Sequence, residues 1–191
     1  MHPTSSKDRL RKKFLEMRRE MPFEDVWRLS SRVQKRFLRS SFFKDSRHLS
    51  LYSSFTNEVL TDEILARAVK EGKDVYYPSV VRGVRHLEFF KVREKSELSP
   101  GSYDIPEPAS RHAQADPGVF DLVVVPGVVF DTRGARLGFG KGYYDRALKG
   151  LGCRVVGLAF EFQVLEGEKI PLEAHDIRVE AIVTEKRIIR C

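Results

Sequence analysis

Cysteine is scarce in this chain of 191 residues: Cys153 and Cys191 are the only two. Their spacing suits neither a metal site nor a redox pair, which excludes a disulfide-stapled scaffold and points to a reducing compartment. A long apolar run is missing as well. No stretch approaches the roughly 18 uncharged apolar residues that cross a bilayer, and the N-terminus lacks the apolar core of a signal peptide. The expectation is a soluble, cytoplasmic protein with no membrane partner. Internal repeats, linkers and a second core are absent too, so residues 1–191 read as one domain. Acidic residues are in the minority, 27 against 34 lysines and arginines, for a net charge of +7. That balance favours anionic partners such as nucleic acid, a phosphorylated cofactor or an acidic small molecule. A basic run interleaved with exposed-looking aromatics, as a nucleic-acid binder needs, is not there.

What is present is a regular alternation of helical and extended patterns. Leu10, Phe14, Met17 and Met21 recur at helical spacing between Ser6 and Met21, with Ser5 or Ser6 as the N-cap. At about 100° per residue, Lys7, Arg11 and Arg18 border that apolar stripe, whereas Asp8, Lys12 and Arg19 point away from it. A second helix is expected from Pro22, with Val26, Leu29, Val33 and Phe37 on one face. "HLSLYSSF" reads as a strand, "TDEILARAVKEG" as a helix from Thr61 to Gly72, and "DVYYP" as a second strand, together a βαβ unit. "HLEFFKV" is another strand, and "SPGSYDIPEPASRHAQADPG" a long irregular connection of the length that often carries function. "FDLVVVPGVVF" looks like one continuous buried parallel strand. After it come a short helix in "YYDRALKGL" and strands in "CRVVGLAF" and "EAIVTE". The expected fold is therefore α/β: a three-layer α/β/α domain with a mainly parallel, Rossmann-like sheet and an N-terminal helical pair. Ligands of such sheets gather where strands end, and both "SSFTNE" and the glycine-rich stretch follow strands.

The glycine-rich stretch, Arg133 to Leu148, fits no standard phosphate motif. A Walker loop fails because Ala135 stands at the first glycine position and Gly142 where a hydroxyl is required. The dinucleotide fingerprint fails because Gly138, Gly140 and Gly142 alternate. Glycines followed by a helix N-terminus nevertheless allow backbone N–H groups to converge on an anion, with Arg136 and Lys141 as countercharge. Asp145, in the first helical turn, suits either the helix dipole or a magnesium ion shared with phosphate oxygens.

"RLGFGKGYYD", Arg136 to Asp145, resembles the signature of the 5-formyltetrahydrofolate cyclo-ligase family. The family's other features recur in order: "KDRLR", the "NE" after the first strand, "PEP", "VVPGVVFD", the Phe160 and Gln163 pair of "AFEFQ", and "HDIRVEAIVTE". The resemblance implies ATP- and magnesium-dependent closure of 5-formyltetrahydrofolate to 5,10-methenyltetrahydrofolate through phosphorylation of the formyl oxygen. ATP and the folate are then the small-molecule partners, of a chain expected to be monomeric.

By the same resemblance, Lys7, Arg11, Arg136, Leu137, Gly138, Phe139, Gly140, Lys141, Gly142, Tyr143 and Tyr144 match ATP-binding positions, with Lys141 and Arg136 catalytic. Glu58 matches a folate-contacting glutamate, and Ser53 lies near it by spacing. Phe139, Gly140, Lys141, Gly142 and Tyr143 match substrate positions, and Asp145 and Asp176 match the metal ligands. His175 is assigned no role. The chain departs from the family at Phe139, where members commonly carry tyrosine or arginine, and at Asp104, where glycine is usual. The first puts one polar contact in question and the second suggests a different path for the long loop. Two other readings compete: a relative that phosphorylates another small acid, and, from another class, a basic RNA-binding protein or a noncatalytic relative.

Overall fold

A computed structural model describes residues 6–81, 83–173 and 176–191. The chain opens with α1 (Ser6–Arg19), α2 (Phe23–Arg39) and the single turn α3 (Ser41–Lys44). Then come β1 (His48–Ser50), α4 (Asp62–Lys70), β2 (Asp74–Val81) and β3 (His86–Lys91). The long connection carries β4 (Leu98–Pro100), β5 (Pro106–Pro108) and β6 (Gln114–Ala115). β7 (Leu122–Val125), β8 (Val129–Asp131) and β9 (Arg136–Leu137) precede α5 (Tyr143–Ala147). The C-terminal part contains β10 (Arg154–Leu158), β11 (Val164–Leu165), β12 (Ala181–Val183) and β13 (Ile188–Arg190).

The main sheet has eight strands in the order β13-β12-β10-β7-β1-β2-β3-β6. Strands β12, β10, β7, β1 and β2 run parallel, and antiparallel β13 and the β3/β6 pair finish the two edges. The expected βαβ unit is β1-α4-β2. From β1 the chain builds outward to β2, then returns to β7 on the other side of β1. Strand order therefore reverses between β1 and β7, and such a switch point opens a crevice at the carboxyl ends of the strands.

One face of the sheet is covered by α2, α3 and α4 through Val26, Val33, Phe37, Phe42, Ile64 and Leu65. The other face is covered thinly, by the five-residue α5 and by loops that carry Leu148, Leu151 and Ile177. The three layers are present, but the third holds little helix. The two N-terminal helices also part company. α2 lies on the main sheet, whereas α1 packs Phe14 with Val129, Ala135, Leu137 and Ile170, over the small sheet ordered β11-β8-β9.

Several expectations need correction. "FDLVVVPGVVF" is two strands in two sheets, because Pro126 lacks the N–H that would continue the ladder. The long connection is not wholly irregular, since β4 and β5 pair antiparallel within it. Glu107 holds its turn, accepting hydrogen bonds from Ser79 Oγ at 2.6 Å and Ser102 N at 3.0 Å. Asp104 in that turn has φ +60°, a left-handed value that glycine takes freely and aspartate tolerates. On α1, Met17 is 38% exposed while Arg18 is fully buried, so the stripe turns toward Arg18. Pro22 is the N-cap of α2 rather than its first residue, and of the two proposed caps of α1, Ser5 lies outside the described residues and Ser6 is already helical. Strand β13 escaped the sequence reading, which stopped at "EAIVTE". Among the described residues no helix is long and apolar enough to cross a membrane.

Candidate functional site

A cavity of about 620 Å³ opens at the switch point. Lys7, Arg11, Ser53, Glu58, the whole run from Arg136 to Asp145, and Asp176 all line it. Every residue selected from the sequence is thus brought to one place, by α1, by the loop after β1, by the turn into α5 and by the segment before β12.

The glycine turn forms because two of its residues adopt left-handed backbone, Gly140 at φ +87° and Gly142, the residue preceding α5, at φ +65°. A Cβ on Gly140 would also stand 3.3 Å from the Arg11 guanidinium carbon. Arg11 Nε donates to Gly138 O at 3.0 Å, and the guanidinium pairs with Asp8 one turn back on α1. Lys141 is exposed at the tip of the turn. Tyr143 meets Tyr103 hydroxyl to hydroxyl at 3.2 Å, and this hydrogen bond raises its phenol pKa. Burial pushes the Tyr144 phenol up as well, and the ring carries the Arg136 guanidinium 5.6 Å from its centroid.

Two carboxylates face this turn, each held by a cation. Arg136 Nη2 donates to Asp145 Oδ1 at 3.0 Å, and Arg136 Nη1 to Pro126 O at 3.3 Å. Asp145 Oδ1 also accepts from Ile177 N at 3.2 Å, which brings the neighbouring Asp176 alongside. Lys7 Nζ lies 2.9 Å from Glu173 and 3.0 Å from Asp176. Burial works against the Lys7 charge, but these two carboxylates outweigh it and raise the pKa. Among the described residues no group of three His, Cys, Asp or Glu side chains gathers as a metal cage. A pair of carboxylates beside a cationic glycine turn still fits magnesium, which takes one or two carboxylates and completes its shell with phosphate and water oxygens.

At the opposite end stands Glu58, 6% exposed. Its position just before α4 suggests a capping role, which it does not have. Gln34 Oε1 accepts from Glu63 N and Ile64 N at the start of α4, and Glu58 Oε2 instead accepts from Phe55 N at 3.1 Å within its own loop. Burial raises the Glu58 pKa to about 7, opposed by the charge of Arg18 and by the Phe55 N–H. Ser53 lines the same end, with its Oγ buried and without a hydrogen-bond partner among the described residues. Phe139 sits between the two ends, its centroid 6.1 Å from that of Phe55 and 5.5 Å from the Arg18 guanidinium carbon. The position that departs from the family pattern thus forms an aromatic wall.

Sequence reasoning missed Tyr52, Phe55, Tyr103, Glu107 and Glu173, all of which line the cavity. It placed Arg18 beside Lys7 and Arg11 but gave it no role. It counted Asn57 in the "NE" pair but gave it no role, although its φ of +55° and two hydrogen bonds to Arg18 O and Met21 O fasten the Glu58 loop to the end of α1. An asparagine between threonine and glutamate was a readable sign of a left-handed turn. Gln163 proves structural: it is buried, donating to Gly127 O and Val128 O and accepting from Phe160 N. His175 lies outside the described residues.

The cavity therefore has a cationic glycine turn with two carboxylates at one end, a buried carboxyl at the other, and aromatic rings between. Such a site can hold a phosphorylated ligand and a flat, hydrogen-bonding ligand side by side. Residues 3–185 match the 5-formyltetrahydrofolate cyclo-ligase family. The NMR structure of Aquifex aeolicus 5,10-methenyltetrahydrofolate synthetase is 36% identical, covers 97% of this chain and 93% of its own, and superposes with a TM-score of 0.84. A probable 5-formyltetrahydrofolate cyclo-ligase of Schizosaccharomyces pombe is 33% identical over 163 residues, covering 78% of this chain and 79% of that protein. The mouse 5-formyltetrahydrofolate cyclo-ligase is 28% identical over 193 residues, covering 95% and 94%. With the signature turn, the cavity and nearly the whole length in agreement, this chain belongs to the 5-formyltetrahydrofolate cyclo-ligase family.

Proposed function

We propose that this protein is a ligase that closes 5-formyltetrahydrofolate to 5,10-methenyltetrahydrofolate at the expense of ATP, with magnesium as cofactor. The observation that carries this reading is the single cavity that joins the glycine turn to the Glu58 loop. The chemical obstacle is the formyl oxygen, which cannot leave from carbon unaided. Transfer of the γ-phosphoryl group to that oxygen releases ADP. Nitrogen 10 then attacks the activated carbon, and phosphate departs with the oxygen as nitrogen 10 loses its proton.

Phosphoryl transfer depends on position and on cations that offset developing charge. Lys7, Arg11 and Lys141 supply those cations, and the backbone from Leu137 to Gly142 supplies N–H donors. Arg136 is less accessible than its sequence position implies, since Asp145 and Pro126 O already hold it. Magnesium would be held by Asp145 and Asp176 and would supply positive charge to offset that of the phosphates. Lys7 and Arg136 pair with those carboxylates here, so a bound cation would take over the role of neutralising Asp145 and Asp176 and would leave Lys7 available to phosphate. Tyr143, Tyr144 and Phe139 enclose the ligands, and Glu58 and Ser53 face the folate, the carboxylate accepting from the donor edge of the pterin.

The deciding experiment is formation of the methenyl chromophore from 5-formyltetrahydrofolate, with and without ATP and magnesium. Product in the complete mixture alone is expected, and no product there overturns the reading. Sedimentation of the same protein tests the monomer expected from the sequence.

A further inference from the structure

Among the described residues Arg18 is the largest fully buried side chain, and the proposed mechanism leaves it unused. It stands on the face of α1 that presents Lys7 and Arg11, since steps of four and seven residues return close to the same side of a helix. Lys7 and Arg11 reach the glycine turn and its carboxylates, whereas Arg18 points to the other end of the cavity. There Arg18 Nη1 donates to Gly127 O at 3.3 Å and lies 3.5 Å from Glu58 Oε1. Phe139 closes over the guanidinium at 5.5 Å. Asn57 ties the neighbouring loop to Arg18 O at 2.9 Å, so the distance between helix and carboxyl is held by backbone as well as by charge.

Stability does not account for this arrangement. A buried ion pair seldom repays the cost of removing both charges from water. Here the contact is long for a hydrogen bond, and Arg18 Nε and Nη2 have no partner among the described residues. What a loosely held guanidinium does supply is positive potential in a region of low dielectric.

We infer that Arg18 is a positioning residue for folate recognition, whose charge favours the ionised form of the Glu58 carboxyl and directs it into the cavity. This rests on the proposed function, because it takes the ligand facing Glu58 to be the folate. The groups facing Glu58 are Arg18 from α1, Tyr52 from the loop after β1 and Tyr144 from α5. Both phenols are pushed to higher pKa, chiefly by burial, and remain neutral. Arg18 is therefore the charged group that opposes the burial of Glu58, beside the Phe55 N–H. It also gives α1 two functions, one at each end of the cavity.

The test is the dissociation constant of 5-formyltetrahydrofolate, measured by calorimetry from acid to mildly alkaline pH. Wild type should bind more tightly as pH rises through about 7, where Glu58 ionises. R18Q, which keeps a donor for Gly127 O but removes the charge, should weaken binding at neutral pH and move that limb upward by about 1 to 3 pH units. R18M should move it in the same direction and serves as the second neutral variant. R18K should hold the limb near that of wild type, and E58Q should abolish it. ATP affinity should stay the same throughout. A limb that does not move in R18Q or R18M overturns the inference, and so does a parallel loss of folate and ATP affinity, which marks general structural damage. Wild-type protein that forms no methenyl product would instead overturn the function itself, so the two failures are distinguishable.

Discussion

At the scale of single residues, the cations of the site differ in what they are free to do. Lys141 is exposed at the tip of the turn, whereas Lys7 and Arg136 are paired with carboxylates. Replacing Lys141 with alanine should therefore remove charge stabilisation from the transition state with little effect on folding. Turnover should fall by about 10²- to 10³-fold, while stability changes by no more than about 0.5 kcal/mol. Steady-state kinetics with a denaturant titration checks both, and unchanged turnover would remove Lys141 from the mechanism. Glu58 carries the opposite tension. Its pKa rises from 4.5 unfolded to about 7 folded, so the native state holds its proton longer than the unfolded chain does. Its contribution to stability is complete below pH 4.5 and is lost as pH rises through about 7. The E58Q variant should therefore gain stability over wild type above pH 7 and show little difference at the acid end, by thermal unfolding across pH. The form that weakens the fold is the form proposed to accept hydrogen bonds from the pterin.

At the scale of elements, the turn between β9 and α5 works because its backbone takes paths closed to most side chains. Gly140→Ala should cost about 1 kcal/mol in left-handed strain and press against the Arg11 guanidinium. Its KM for ATP should rise more than its KM for folate, as kinetics with each substrate varied in turn would show. An equal rise in both would mean that the turn serves the whole cavity rather than the nucleotide end. The helix α1 was legible in the sequence as amphipathic, and the stripe border singled out Lys7, Arg11 and Arg18. Periodicity could not say which border residue is buried, because that depends on the separate elements carrying Gly127, Glu58 and Phe139. The break in "FDLVVVPGVVF" was legible too, in Pro126, but the apolar run outweighed it in the reading. Strand β13 is short and only partly buried at the sheet edge, and its three residues, Ile188 to Arg190, carry too little pattern to announce it.

At the scale of the whole molecule, the main sheet runs from the N-terminal half to the last residues, with β12 and β13 beside β10 and β7. We expect residues 1–191 to behave as one domain, so thermal unfolding followed by backbone and tyrosine signals should give one coincident transition. Added Mg-ATP should raise its midpoint by mass action, and two separate transitions would contradict the single domain. The α/β class, the βαβ unit and the glycine turn followed from local periodicity and residue chemistry, which neighbours along the chain determine. Arg136, Lys141 and Asp145 followed from the residue types of the contiguous turn, Lys7 and Arg11 from helix geometry together with the family resemblance, and Glu58 and Asp176 from that resemblance. Tertiary structure alone decided that β1 and β7 are adjacent and so open the crevice, that Lys7 and Arg136 rest on the two carboxylates, and that Arg18 lies buried against Glu58. Each of those facts joins residues far apart in the chain, and contact between distant segments is set by packing of the folded whole.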